Sequence, residues 1–184
     1  MAKVGDGPGD GRGGEWRYVV GLGSNVRHHR HGPPRRVLRA ALAALAEAGV
    51  TIEAVSPMLT TPPLGHARRR YANAAALLAT RLEPEALLAL LQDIEYRFGR
   101  RRRGRRWGER VLDLDILLWS GGVWSGPGLV VPHVAFRQRR FALTPAQAVA
   151  PRWRDPITGL TLRHLHARLT QPRPLPIAHP HKGP

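Results

Sequence analysis

The hexapeptide Leu112-Asp113-Leu114-Asp115-Ile116-Leu117 sets two carboxylates two residues apart in an otherwise apolar run. On a strand such residues share a face, so Asp113 and Asp115 point the same way with backbones roughly 6–7 Å apart. Leu112, Leu114 and Ile116 then take the opposite side. Two acids so placed repel each other and lose hydration. A hard divalent cation relieves both costs. Mg²⁺ is held by one or two carboxylates, with substrate phosphates completing its shell. The competing account is a pair of surface acids on a strand whose other face is core, and the hexapeptide alone weighs the two evenly.

The segment just upstream, Gly99–Arg110, tips the balance toward a polyphosphate. Its glycines punctuate a dense run of arginines. Guanidinium forks match phosphate oxygens in pairs. Such a run repels itself, so it is expected to be mobile when empty and to order as a lid over a triphosphate. Trp107 would then cap the site against water. By itself the run fits a solvated loop or a patch for RNA phosphates just as well.

Weaker signals lie on either side. Gln92 and Glu95 sit at the margin of a helical apolar stripe, where they suit a ligand contact or, more simply, a bond to nearby backbone. Thr60-Thr61-Pro62-Pro63-Leu64-Gly65 is a proline-stiffened loop with free carbonyls. Asn73 carries donors and acceptors suited to a heterocycle edge, and Tyr71 could stack on a flat ring. A turn followed by a strand accounts for the same residues. His133 and Phe141 say little alone.

These groups need a scaffold, and the chain is long enough to supply one domain. It has 184 residues, 42% of them hydrophobic, and no cysteine. Disulfides and thiolate metal sites are thereby excluded. The formal net charge of +16 favours polyanionic partners. No apolar run is long enough to cross a bilayer, and the Gly-rich start lacks a secretory core, so the cytoplasm is the expected compartment. Residues 1–16 read as a disordered Gly-rich tail, 17–170 as the folded domain, and 171–184 as a Pro/His-rich tail.

Within the domain, Tyr18–Leu22 reads as a buried strand, and Pro34 opens a helix with Val37, Leu38, Ala41, Leu42 and Leu45 on one face. Val50, Ile52 and Ala54 alternate as a strand that Pro57 ends. Tyr71–Thr80 is a further strand. Pro84 opens a second helix, with Leu87, Leu91, Ile94 and Phe98 as its stripe and Gly99 as its stop. Val111–Trp119 is a central strand, and Thr161–Leu169 a final helix. The order is that of an α+β ferredoxin-like βαββαβ fold, with a mainly antiparallel sheet and helices packed on it.

Taken together, the segments resemble the 6-hydroxymethyl-7,8-dihydropterin pyrophosphokinases of folate biosynthesis. The resemblance is carried by Gly21-Leu22-Gly23-Ser24-Asn25, Thr61-Pro62-Pro63-Leu64-Gly65, Tyr71-Ala72-Asn73-Ala74, Arg106-Trp107-Gly108-Glu109-Arg110, Asp113-Leu114-Asp115, and Val131-Pro132-His133 with Arg139 and Phe141. It covers roughly Tyr18 to Leu169. The family departs from this chain at the Arg-rich loop His66–Arg70, at Val134 and at Arg140. The resemblance implies transfer of the pyrophosphoryl group of ATP to the pterin hydroxymethyl oxygen, giving AMP. It implies two Mg²⁺ ions on Asp113 and Asp115 and nucleotide contacts from Gln92, Glu95, Ile116, His133 and Arg139. Arg100, Arg102, Trp107 and Arg110 would close over the phosphates. Thr61, Leu64 and Asn73 would read the pterin edge, with Tyr71 and Phe141 on its two faces. The expected partners are ATP and the pterin, with neither nucleic acid nor membrane, and the expected state is a monomer.

Overall fold

The computed structural model describes residues 14–62, 69–99 and 110–171. Strand β1 (Trp16–Ser24) alternates Tyr18, Val20 and Leu22 on one face with Val19, Gly21 and Gly23 on the other. Helix α1 (Pro34–Glu47) begins at a proline, whose missing N–H is no loss in the first turn. It buries Val37, Leu38, Ala41 and Leu45. Gly49, at φ 84°, turns the chain out of it. Strands β2 (Thr51–Val55) and β3 (Leu59–Thr61) follow, parted by Pro57. Both lie on the outer edge of β4 (Tyr71–Thr80). Helix α2 (Pro84–Arg97) buries Leu87, Leu91 and Ile94, and Gly99 at φ 86° ends it.

Strand β5 (Asp113–Trp119) completes the sheet. The order is β2-β4-β1-β5, with β3 also on β4, and every pairing is antiparallel. This is the expected α+β ferredoxin-like core. Helices α1 and α2 cover one face and bury Tyr18, Val20, Leu22, Leu114 and Ile116 against them. Among the described residues no helix is long and apolar enough to cross a membrane.

Beyond β5 the chain adds a hairpin, whose Leu129 and Val131 join the core under α1 and α2, and then the elements that cover the other face. The hairpin, β6 (Trp124–Gly126) and β7 (Leu129–Val131), brings the chain back alongside β5. A short 3₁₀ turn (Phe136–Gln138) then leads into α3 (Arg140–Val149) and later α4 (Leu162–Thr170). Helix α3 holds Pro145 in its interior, a residue that ordinarily breaks a helical pattern. It forms because Leu143, Pro145 and Ala146 are buried, and packing outweighs the lost backbone bond. Helix α4 is the expected final helix, and its Thr161 cap accepts from the His164 N–H at 3.2 Å. Phe136, Leu143, Ala146, Trp153, Leu162 and Leu165 form a second core against Val19, Ala75, Leu117 and Leu118.

A bulge in β5 links the two cores. Val20 pairs with Ile116 but Val19 pairs with Leu118, so Leu117 is an extra residue. Leu114 and Ile116 face α1 and α2, whereas Leu117 and Leu118 both join the second core. β5 also begins at Asp113 rather than Val111, so the first acid is the first residue of the strand.

Candidate active site

The face opposite α1 and α2 stays open at one end of the sheet, and the register explains why. Asp113 is the cross-strand partner of Gly23, and Asp115 that of Gly21. On the far side of β1, Gly23 pairs with Asn73 and Gly21 with Ala75. Two rows therefore cross the sheet, Asp113–Gly23–Asn73 and Asp115–Gly21–Ala75. A glycine faces each acid, so no side chain fills the space between the strands. The result is a cavity of about 260 Å³.

Its floor is Gly21, Gly23 and Leu117, and its walls include Tyr71, Asn73, Arg110, Asp113, Asp115, His133, Phe136, Arg139 and Phe141. The elements deliver these groups from separate parts of the chain. His133 is pinned by its N–H, which donates to the Leu117 carbonyl at 3.1 Å. Its Nδ1 accepts the Ala135 N–H at 3.2 Å, which leaves Nε2 as the ring's donor. Arg139, at the N-terminal cap of α3, sits with its guanidinium 5.9 Å from the centre of the Phe141 ring. Asn73 is buried, and its Nδ2 donates to Thr61 Oγ1 at 2.8 Å. That bond fixes the amide and reaches across from β4 to β3.

The electrostatics are those of two close acids whose charge the surrounding cations offset only in part. Burial pushes Asp115 above the usual carboxylate range, and the neighbouring Asp113 pushes the same way. His133, Arg110 and Arg139 pull against it without cancelling it. Arg110 forms an ion pair with Asp113. Burial works to lower the Arg110 pKa, but Asp113, with Asp115 and Glu95 behind it, raises it above its ordinary value. Burial also raises Tyr71, so its ring stays a neutral phenol. The acids suit a magnesium ion that takes most of its ligands from phosphate and water. Among the described residues, no group of three or more His, Asp or Glu gathers as an all-protein metal cage.

The expected site residues divide into three groups. Asp113, Asp115, Arg110, His133, Arg139, Tyr71, Asn73 and Phe141 all line the one cavity, and Thr61 stands directly behind Asn73. Leu64, Arg100, Arg102 and Trp107 lie outside the described residues. Gln92, Glu95 and Ile116 do not line the cavity. Ile116 packs into the core behind the sheet, because β-alternation turns it away from the acids. Glu95 is 2% exposed and accepts the Leu114 N–H at 2.7 Å, holding α2 to β5. Its backbone bond is the simpler of the two accounts that a stripe-margin position allows. Gln92 is exposed on α2.

Some contributors are not among the expected site residues. Gly21 and Gly23 act through their missing side chains, which only the register with β5 reveals. Phe136 and Leu117 reach the cavity through the 3₁₀ turn and the bulge, neither of which has a sequence period. Asn25, 2% exposed at the end of β1, accepts the Arg110 N–H on Oδ1 at 2.7 Å and donates its own N–H to the Arg110 carbonyl at 3.1 Å. It clamps the backbone that carries Arg110 toward the acids.

Known proteins are similar to this chain over most of its length. The 2-amino-4-hydroxy-6-hydroxymethyldihydropteridine pyrophosphokinase of Pseudomonas aeruginosa is 43% identical over 142 residues, covering 76% of this chain and 84% of its own. The protein of the same name from Synechocystis is 36% identical over 148 residues, covering 80% and 73%. Among solved structures, Plasmodium falciparum HPPK-DHPS, crystallised with pteroate, superposes with a TM-score of 0.65 at 12% identity. That alignment covers 84% of this chain but 44% of the longer Plasmodium chain, and it supports the fold alone. Residues 19–151, which hold the acid pair, both glycines and every cavity-lining side chain, match the family described as 7,8-dihydro-6-hydroxymethylpterin-pyrophosphokinase, and the chain belongs to that family.

Proposed function

We propose that the chain transfers the pyrophosphoryl group of ATP to the hydroxymethyl oxygen of 6-hydroxymethyl-7,8-dihydropterin, giving AMP and the pterin diphosphate, with Mg²⁺ held by Asp113 and Asp115. One observation carries this reading. Two acids, each opposite a glycine, open into a single cavity that also contains the Tyr71 and Phe141 rings, an anchored amide and the donors Arg110, His133 and Arg139. Bound at the acids, two Mg²⁺ ions would neutralise phosphate charge on both sides of the breaking bond.

The chain's own residues supply the rest. Arg110, His133 and Arg139 present donors to phosphate oxygens, and the guanidinium forks hold them by charge and by shape. Arg110 pairs with Asp113 here, and its fork would be free to hold phosphate if a metal took its place on the acid. On the resemblance, Arg100 and Arg102 would add to this charge and Trp107 would exclude water, all three lying outside the described residues. Tyr71 and Phe141 stack on the flat pterin. Asn73, held by Thr61, reads the pterin edge together with Leu64. The reaction needs little covalent help, because positioning and electrostatics supply most of the acceleration in phosphoryl transfer.

The aromatic wall gives the test. Phe141→Ala should raise the pterin KM by about tenfold, as loss of one stacked ring costs roughly 1 kcal/mol or more. The ATP KM should change little. An ATP KM that rises while pterin binding holds would place Phe141 on the nucleotide and reverse the assignment of the two substrates.

A further inference from the structure

The family match ends at residue 151, yet the segment after it reaches back to the site through one buried carboxylate. Asp155 is 0% exposed. Arg137 grips it with both arms of its fork, Nε to Oδ2 at 2.7 Å and Nη2 to Oδ1 at 2.5 Å. Thr158 Oγ1 donates to Oδ2 at 2.6 Å, and the Ile157 N–H to Oδ1 at 3.3 Å. The backbone closes the same loop: the Asp155 N–H donates to the Leu160 carbonyl at 2.9 Å, and the Gly159 N–H to the Asp155 carbonyl at 2.8 Å. A buried, bidentate pair with its lone pairs filled is among the stronger ionic contacts a protein makes, and among the costliest to break from one side.

Arg137 is the middle residue of the 3₁₀ turn Phe136–Gln138. That turn lies on the short stretch of chain between His133 and Arg139. The Phe136 N–H donates to the His133 carbonyl and the Arg139 N–H to the Phe136 carbonyl, each at 3.2 Å. A three-residue turn of this kind has little stability of its own. Phe136 holds it on the apolar side, buried in the second core with the Arg137 guanidinium 4.8 Å over its ring. The Arg137–Asp155 pair holds it on the polar side.

We infer that Asp155 is a positioning residue for the nucleotide: through Arg137 it fixes the turn that sets His133 and Arg139 in the cavity wall. It touches no substrate. The inference rests on the nucleotide reading of His133 and Arg139. Of the pterin contacts, Tyr71 and Asn73 stand on β4, away from this turn, and Phe141 stands in α3, which Leu143 and Ala146 anchor in the second core, so pterin recognition has supports of its own.

Asp155→Asn keeps the shape and the bond from Ile157 but removes the charge that Arg137 holds. In the full-length protein the ATP KM should rise by about tenfold, and the Kd of a non-hydrolysable ATP analogue should rise with it, as displaced binding groups lose affinity steeply. The pterin KM should stay within about twofold. Thr158→Ala, which removes one bond to the carboxylate and leaves the ion pair, should shift the same constants in the same direction by less. It serves as the readable variant if Asp155→Asn does not fold. A loop with a merely structural role would instead lower Tm and the active fraction at unchanged KM for both substrates. That pattern, or an equal loss of both substrates, would overturn the proposal. Failure of the underlying reading is separate, because it would show in the unaltered protein as no pterin-dependent use of ATP.

Discussion

Asp113→Ala and Asp115→Ala are each expected to lower kcat by about 10³-fold or more while the fold survives. The two acids share a strand face opposite two glycines, and no third His, Asp or Glu joins them in a group among the described residues. On the proposed magnesium site, loss of either carboxylate removes a ligand. Stability should move the other way. The folded-state pKa of Asp115 is raised, so the folded protein holds that proton more tightly than the unfolded chain does. Its stabilising contribution is full below the unfolded pKa and is lost as pH rises through the folded pKa. At neutral pH the ionised group opposes folding, and without metal Asp115→Asn should melt at or above the temperature of the parent. Adding Mg²⁺ with ATP should raise the parent Tm and leave that of Asp115→Asn nearly unchanged. Activity is the deciding readout: near-normal turnover in both alanine variants would remove the metal assignment.

Arg110→Ala should reduce kcat/KM for ATP by about 10²-fold. Arg110 is the described end of the arginine-rich segment, clamped by Asn25 and paired with Asp113. Its charge also holds the Asp115 pKa down, so its removal should push that acid higher and move the acidic limb of the activity profile to higher pH. Arg110→Lys keeps the charge and loses the planar fork, and should recover only part of the rate. Full recovery by lysine would show that charge alone matters at this position. An unchanged acidic limb in the alanine variant would show that Arg110 does not act on Asp115.

The alternation of Leu112, Asp113, Leu114, Asp115 and Ile116 makes the acid pair legible in the sequence, because a strand's period of two leaves no other arrangement. The proline starts and glycine stops of α1 and α2 are legible for the same kind of reason: each residue has one backbone conformation that it serves best. The same logic also exposes Ile116, which strand alternation turns into the core although its resemblance to a nucleotide contact suggests otherwise. Helix α3 is hidden by Pro145, whose local cost is outweighed by tertiary burial that the sequence does not display. The glycines opposite the acids are visible as a motif but not as a cavity floor, since register between distant strands is a property of the folded sheet. Asp155 carries no periodic or motif signal at all. Its role emerges only when a carboxylate from the α3–α4 connection is seen gripping an arginine of the 3₁₀ turn.

The most direct test of the central claim is the identity of the nucleotide product. An ordinary kinase moves the terminal phosphoryl group and leaves ADP. Attack on the β-phosphorus moves two phosphoryl groups together and leaves AMP. The protein is incubated with ATP, Mg²⁺ and 6-hydroxymethyl-7,8-dihydropterin, and the nucleotides and pterins are separated. AMP should form in step with a diphosphorylated pterin and only when all three components are present. ADP as the first product, or no pterin-dependent consumption of ATP, would contradict it.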